Sequence, residues 1–140
     1  MEVYKPKYFT LEELVHPQMI KAIGAINCWM RLDAECLKDL DKIRETWAGP
    51  IYLNFGAADS RGLRPPNDPD GSFYSVHKQG KAFDLVAGNG NDQGLFNHVK
   101  LLIQKGSLKK LNTLEDMSFT PNWVHVANMN HDQKPLIIKP

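Results

Sequence analysis

With 140 residues, 42% of them hydrophobic and 24% charged, the chain carries enough apolar content for one buried core and too little length for two ordinary domains. Its 17 Lys and Arg against 16 Asp and Glu leave a net charge of +1, which removes any global electrostatic case for nucleic acid or an anionic membrane and argues against disorder. No apolar run reaches the length of a membrane span, and the opening MEVYKPKYFT lacks the apolar stretch of a secretory signal.

Thr10 and Glu13 have the spacing of a capping box, so a short helix is predicted to open at Leu11 and carry Leu14 and Val15. An apolar stretch follows from Met19 to Ile26. Asp33 is placed to cap a longer helix whose Leu37, Leu40, Ile43 and Trp47 share one stripe, ended by Gly49-Pro50. Cys28 and Cys36 sit near or inside these helices and read as buried thiols, not as a disulfide framework. Ile51 to Phe55 alternates as a strand does, and Gly56 to Tyr74 is a long loop rich in Gly, Pro and Asp. Ala82–Val86 is a second strand. Asp92 is the expected cap of a helix that buries Leu95, Phe96, Val99, Leu102 and Ile103. Strand candidates at Leu111–Glu115, Trp123–Ala127 and Leu136–Lys139 complete the chain. This order describes an α+β domain: a small, mostly antiparallel sheet with flanking helices.

Two stretches carry chemistry. In a strand, side chains alternate between faces, so Phe83 and Leu85 point to the core while Asp84 points the other way. A carboxylate in such apolar company is costly to bury unless it meets a cation. His77 lies seven residues earlier, beyond Gly80, which permits a sharp turn. In NWVHVAN, Val124 and Val126 pack inward and leave Trp123 and His125 on the opposite face. His77, Asp84 and His125 are thereby able to converge. Two imidazoles and one carboxylate suit zinc, with a fourth position open. The competing reading is a pair of ordinary histidines and an aspartate paired with Arg or Lys. His16, His98 and His131 fit the centre less well; His98 on its helix and His131 in a polar turn are expected to be solvated.

The wording of the two stretches carries a resemblance. Ser75 to Asp84 reads SxHxxGxAxD, and Trp123 to Val126 reads WxHV. This resembles the zinc D-Ala-D-Ala peptidases, the family that includes D-alanyl-D-alanine carboxypeptidases, vancomycin-resistance dipeptidases and phage endolysins. The resemblance covers residues 37–140, with residues 1–36 an N-terminal helical segment of the same single domain, and it implies the hedgehog/DD-peptidase fold. It implies His77, Asp84 and His125 as zinc ligands and Ser75 as a supporting residue. Arg64, in GLRP, becomes the arginine that holds a substrate carboxylate, with Arg61 a close competitor.

The implied activity is hydrolysis of a peptidoglycan peptide bond at or near D-alanine. The implied partner is a stem peptide or another D-Ala-D-Ala-containing substrate, with no nucleic acid or membrane involved. The lack of a signal implies synthesis in the cytoplasm, and with the size and the resemblance to phage proteins it suggests a viral or prophage origin and action on the cell wall. Zinc lowers the pKa of water to about 7 and polarises a carbonyl. A general base must still move the proton. Several relatives supply a glutamate in an ExxH motif; that position here is Asn122, which takes no proton. Glu115 is the preferred replacement, ahead of Asp116. Ala127 stands where many relatives have an aspartate that orients a metal ligand. A zinc-stabilised binding or structural module without catalysis is the alternative reading. A two-His-one-carboxylate iron oxygenase fits worse, because such sites commonly space His and Asp two apart on a β-rich barrel.

Overall fold

The structure, a computed structural model, describes residues 3–68 and 76–140. Thr10 closes its capping box with Glu13 over α1 (Leu11–Leu14). The apolar stretch that follows is two helices, α2 (Pro17–Ile23) and α3 (Ala25–Arg31), separated at Gly24, whose φ of +81° breaks the helical backbone. His16 caps α2, its Nδ1 accepting from Gln18 N. Asp33 caps α4 (Ala34–Thr46) by accepting from Cys36 N, in agreement with the sequence reading. Cys28 and Cys36 are buried free thiols, and burial pushes the pKa of each upward.

Strand β1 covers only Ile51–Tyr52, shorter than expected. Asn54 leaves the ladder to bind the backbone around α1, and Phe55 and Ala58 exchange both backbone hydrogen bonds across a tight turn. Beyond it lie β2 (Ala82–Ala87), α5 (Asp92–Gln104), β3 (Thr113–Glu115), β4 (Val124–Ala127) and β5 (Leu136–Ile138). The cap of α5 is Asn91, whose side chain accepts from Gly94 N; Asp92 instead accepts from Ala87 N and ties helix to strand.

The five strands are ordered β1-β2-β4-β3-β5, antiparallel except for the β3–β5 pair. The chain is therefore α+β with a mixed, mostly antiparallel sheet. Phe83, Leu85, Leu114, Val124 and Val126 are fully buried and join Leu37, Leu40, Leu95 and Val99 in one continuous core. Each such side chain contributes about 1.5–3 kcal/mol by leaving water. That burial fixes the parity of β2 and β4, since a one-residue slip would drive Asp84 and His125 into the core. No helix among the described residues is long and apolar enough to cross a membrane.

Candidate metal centre

The register of β2 against β4 sets Asp84 directly opposite His125. Both leave the core face, as the alternation of their strands requires. Between β3 and β4, Thr113 faces Ala127 and Leu114 faces Val126. One further step of that register puts Glu115 beside His125, so Asp84, His125 and Glu115 form a row across three adjacent strands.

His77 arrives from the turn at 76–80. Gly80, at φ +71°, accepts the left-handed backbone there, and a Cβ on it would collide with the Arg31 carbonyl. The turn is closed by Gln79 N on Val76 O and Gly80 N on His77 O. His77 Nδ1 lies 3.1 Å from Gly62 O and donates to it, which leaves Nε2 as the free lone pair. Gly62 is itself held against α1, where Leu63 N donates to Leu14 O.

One oxygen of Asp84 meets both imidazoles. Oδ1 lies 2.8 Å from His125 Nδ1 and 3.4 Å from His77 Nε2. Donor atoms of the three residues all lie within 4.8 Å of one another, and the two rings are 5.1 Å apart at their centroids. The other oxygen, Oδ2, lies 3.4 Å from Arg64 Nη2, while Arg64 Nε donates to Ser60 O at 2.6 Å. His77 and Asp84 are buried; the His125 and Arg64 side chains are each 15% exposed and form the open side.

Burial pushes the Asp84 carboxyl up, but hydrogen bonds from His125 and His77 outweigh it and hold the group well below the usual carboxylate range. Asp84 is thus an anion whose Oδ1 lies between two imidazole nitrogens. With His77 Nδ1 committed to Gly62, Nε2 is the nitrogen that His77 brings to Asp84 Oδ1, and a proton or a metal cation between the two atoms satisfies both. The set of two nitrogens and one oxygen fits a divalent ion.

Beside the triad lies a cleft of about 290 Å³ lined by Asp59, Ser60, Arg61, Arg64, Asp84 and Trp123, among others. Arg61 and Arg64 both reach it. Arg61 is tied to the backbone through Nη1 on Leu53 O, and its own carbonyl accepts from Asp84 N, so it frames the site. Arg64 stands nearer the triad.

Asp116 turns its carboxylate onto Ser118 N and Oγ, which occupies it in a local turn and lowers its pKa. Glu115 has no such tie among the described residues. Asn122 is exposed in the turn before β4, and Ala127 is buried between Ala82 and Thr113. Ser75 lies outside the described residues.

The remaining histidines lie outside the triad, and His98 and His131 are half-buried. His98 packs on Trp47 and lies 2.8 Å from Thr46 Oγ1, and partial burial lowers its pKa. His131 lies 2.7 Å from Thr113 Oγ1. Asp59 escaped the sequence reading, because nothing in a long polar loop distinguishes one carboxylate from another. No protein-family model, curated protein or solved structure matches the chain, so the family remains a resemblance carried by the two motifs.

Proposed function

We propose that this chain is a zinc-dependent peptidase that cleaves peptidoglycan peptides at or near D-alanine, on a hedgehog/DD-peptidase type of fold. The observation that supports it best is the meeting of one anionic oxygen with two imidazoles beside an arginine-lined cleft. His77 Nε2, Asp84 Oδ1 and His125 Nδ1 would hold the ion. Zinc in such a set supplies Lewis acidity that activates water near neutral pH and polarises a carbonyl.

The chain's own residues divide the remaining work. Arg64 offers a planar fork to a substrate carboxylate, which a lysine does not imitate. Its bond to Asp84 also keeps Oδ1 turned inward. Glu115, beside His125 in the row, takes the proton from water and returns it to the leaving amine. Trp123 walls the cleft and limits bulk water.

Purified protein is expected to take up about one zinc per chain and to cleave peptidoglycan or a D-Ala-terminated peptide, with loss on chelation. Glu115→Gln should keep the zinc and lose turnover by at least about 100-fold. Unchanged turnover would remove Glu115 from the mechanism. Stoichiometric zinc with no cleavage of any wall peptide supports the second reading, a zinc-stabilised binding module. That reading is favoured by the exposed Asn122 and the buried Ala127, neither of which offers a carboxylate.

A further inference from the structure

The pairing of Ala127 with Ala82 on one side and Thr113 on the other brings Lys81, Asn128 and Asn112 together at one end of the sheet, since each stands one residue outside its strand. Two hollows open there. One, of about 520 Å³, has Lys81, Lys110 and Asn130 on its walls, and the other, of about 300 Å³, has Lys109, Lys110, Asp132 and Lys134. Lys110, Asn112, Asn128 and His131 line both, so the two form one trough. It shares no lining residue with the arginine-lined cleft beside the triad.

The walls of the trough are fixed from behind. Leu108 and Leu111 are buried, which leaves Lys109 and Lys110 facing out. Asp39, itself buried in α4, accepts from Lys109 N at 2.9 Å, Lys110 N at 2.7 Å and Leu111 N at 2.8 Å, so its charge is engaged by the backbone. Asn112 locks another wall: its Nδ2 donates to Met129 O and its Oδ1 accepts from Met129 N. His131 has both ring nitrogens occupied, Nδ1 by Gln133 N and Nε2 by Thr113 Oγ1. Asn128 N donates to Lys81 O.

The head groups, by contrast, are unengaged. The one lysine ion pair among the described residues is Lys38 with Glu35, elsewhere on α4. The ammonium groups of Lys81, Lys109, Lys110 and Lys134 have no partner among the described residues, and neither does the side-chain amide of the half-buried Asn128. These four lysines face the single Asp132 in a chain whose net charge is only +1. Positive charge is thus gathered on rigid supports at this end of the sheet, at a local strength that the total conceals.

We propose that the trough is a binding site, separate from the metal centre, for a flexible phosphodiester chain without bases, of the poly(glycerol phosphate) kind. Lysine is a point charge on a flexible stem and meets a tetrahedral phosphate from any side. The planar fork of arginine, which grips carboxylates two-pronged, is absent from the lining. Phe, Tyr and Trp are absent as well, so nothing stacks a nucleobase. Two hollows joined at Lys110 suit successive phosphates of one chain, and the Asn128 amide adds a neutral donor for a phosphate or hydroxyl oxygen. The site stands independently of the peptidase reading.

The test follows the fluorescence anisotropy of a labelled synthetic glycerol-phosphate oligomer titrated with the full chain at several salt concentrations. Lys81→Gln with Lys110→Gln should weaken binding by about tenfold or more and flatten the dependence of log affinity on log salt by roughly one to two. Lys21→Gln with Lys42→Gln removes the same charge from exposed positions on α2 and α4 and should keep the wild-type affinity. Single-stranded oligothymidylate and polyglutamate of matched charge should both bind more weakly than the glycerol-phosphate oligomer.

No binding of that oligomer, or an equal loss in the two double variants, overturns the site. Oligothymidylate or polyglutamate bound as tightly overturns the assignment to a phosphodiester without bases. Each of these results leaves the metal centre untouched.

Discussion

Gly62 stands where a side chain has no room, since a Cβ there would run into the Leu14 carbonyl and carbonyl carbon. Its own carbonyl receives His77 Nδ1–H and thereby sets which nitrogen of that imidazole faces Asp84. Gly62→Ala must push the 61–63 segment away from α1, because both partners in the clash are backbone. The substitution should cost about 1–3 kcal/mol of stability. It should also weaken zinc binding by about tenfold or more through the displaced His77 support. A chemical denaturation curve and a competitive zinc titration on the same variant measure the two effects. A normal zinc affinity would detach Gly62 from the site. The triad itself is legible in the sequence because parity along two short strands is a local property: Val124 and Val126 inward force His125 outward. The packing of Gly62 against Leu14 is not legible, since it joins residues on either side of three helices and a strand. The same holds for His131 and His98, whose partners Thr113 and Thr46 are distant in sequence and close only in the folded chain.

At the scale of elements, α4 ties the N-terminal segment to the rest. Asp41 on its surface is buried and accepts from Tyr4 OH at 2.6 Å, Lys7 N at 2.8 Å and Tyr8 N at 3.2 Å. The Asp41 carboxylate raises the Tyr4 pKa from 10.0 to about 12, with burial adding to the effect. A phenol whose pKa is higher in the folded state contributes stability in full below the unfolded value and loses it as the pH climbs through the folded one. The Tyr4 contribution should therefore be constant below pH 10 and fade between pH 10 and about 12. Urea midpoints across that interval should fall less steeply for Tyr4→Phe than for the wild type, and identical slopes would refute the coupling. Helix α4 was readable from its stripe and from Asp33, whereas the tie from Tyr4 was not, because a lone Tyr and a single Asp carry no periodicity. The break at Gly24 and the early end of β1 share this character. Each is decided by one residue's backbone or amide, Gly24 by its φ and Asn54 by its reach to α1, against an apolar pattern that continues unbroken.

At the scale of the whole molecule, the three proposed ligands come from three places that the chain joins only indirectly: the turn at 76–80, β2 and β4. An ion held by all three ties the long loop segment to the middle of the sheet, and it binds the folded chain far better than an unfolded one. At free zinc a hundredfold above its dissociation constant, linkage adds about 2.7 kcal/mol of stability. For a chain of this length that raises the thermal midpoint by roughly 5–15 °C. The rise should grow with the logarithm of zinc concentration and reverse with chelator. Asp84→Asn removes the negative charge that faces both imidazoles and replaces one carboxylate oxygen with an amide NH2, so the variant should show almost no zinc-dependent rise even where its metal-free midpoint stays near that of the wild type. Magnesium, which prefers six oxygens to a nitrogen-rich set, should produce no comparable shift at equal concentration. A midpoint indifferent to zinc would mean that the triad is held together by hydrogen bonds alone, and the metal centre would be lost along with the chemistry built on it.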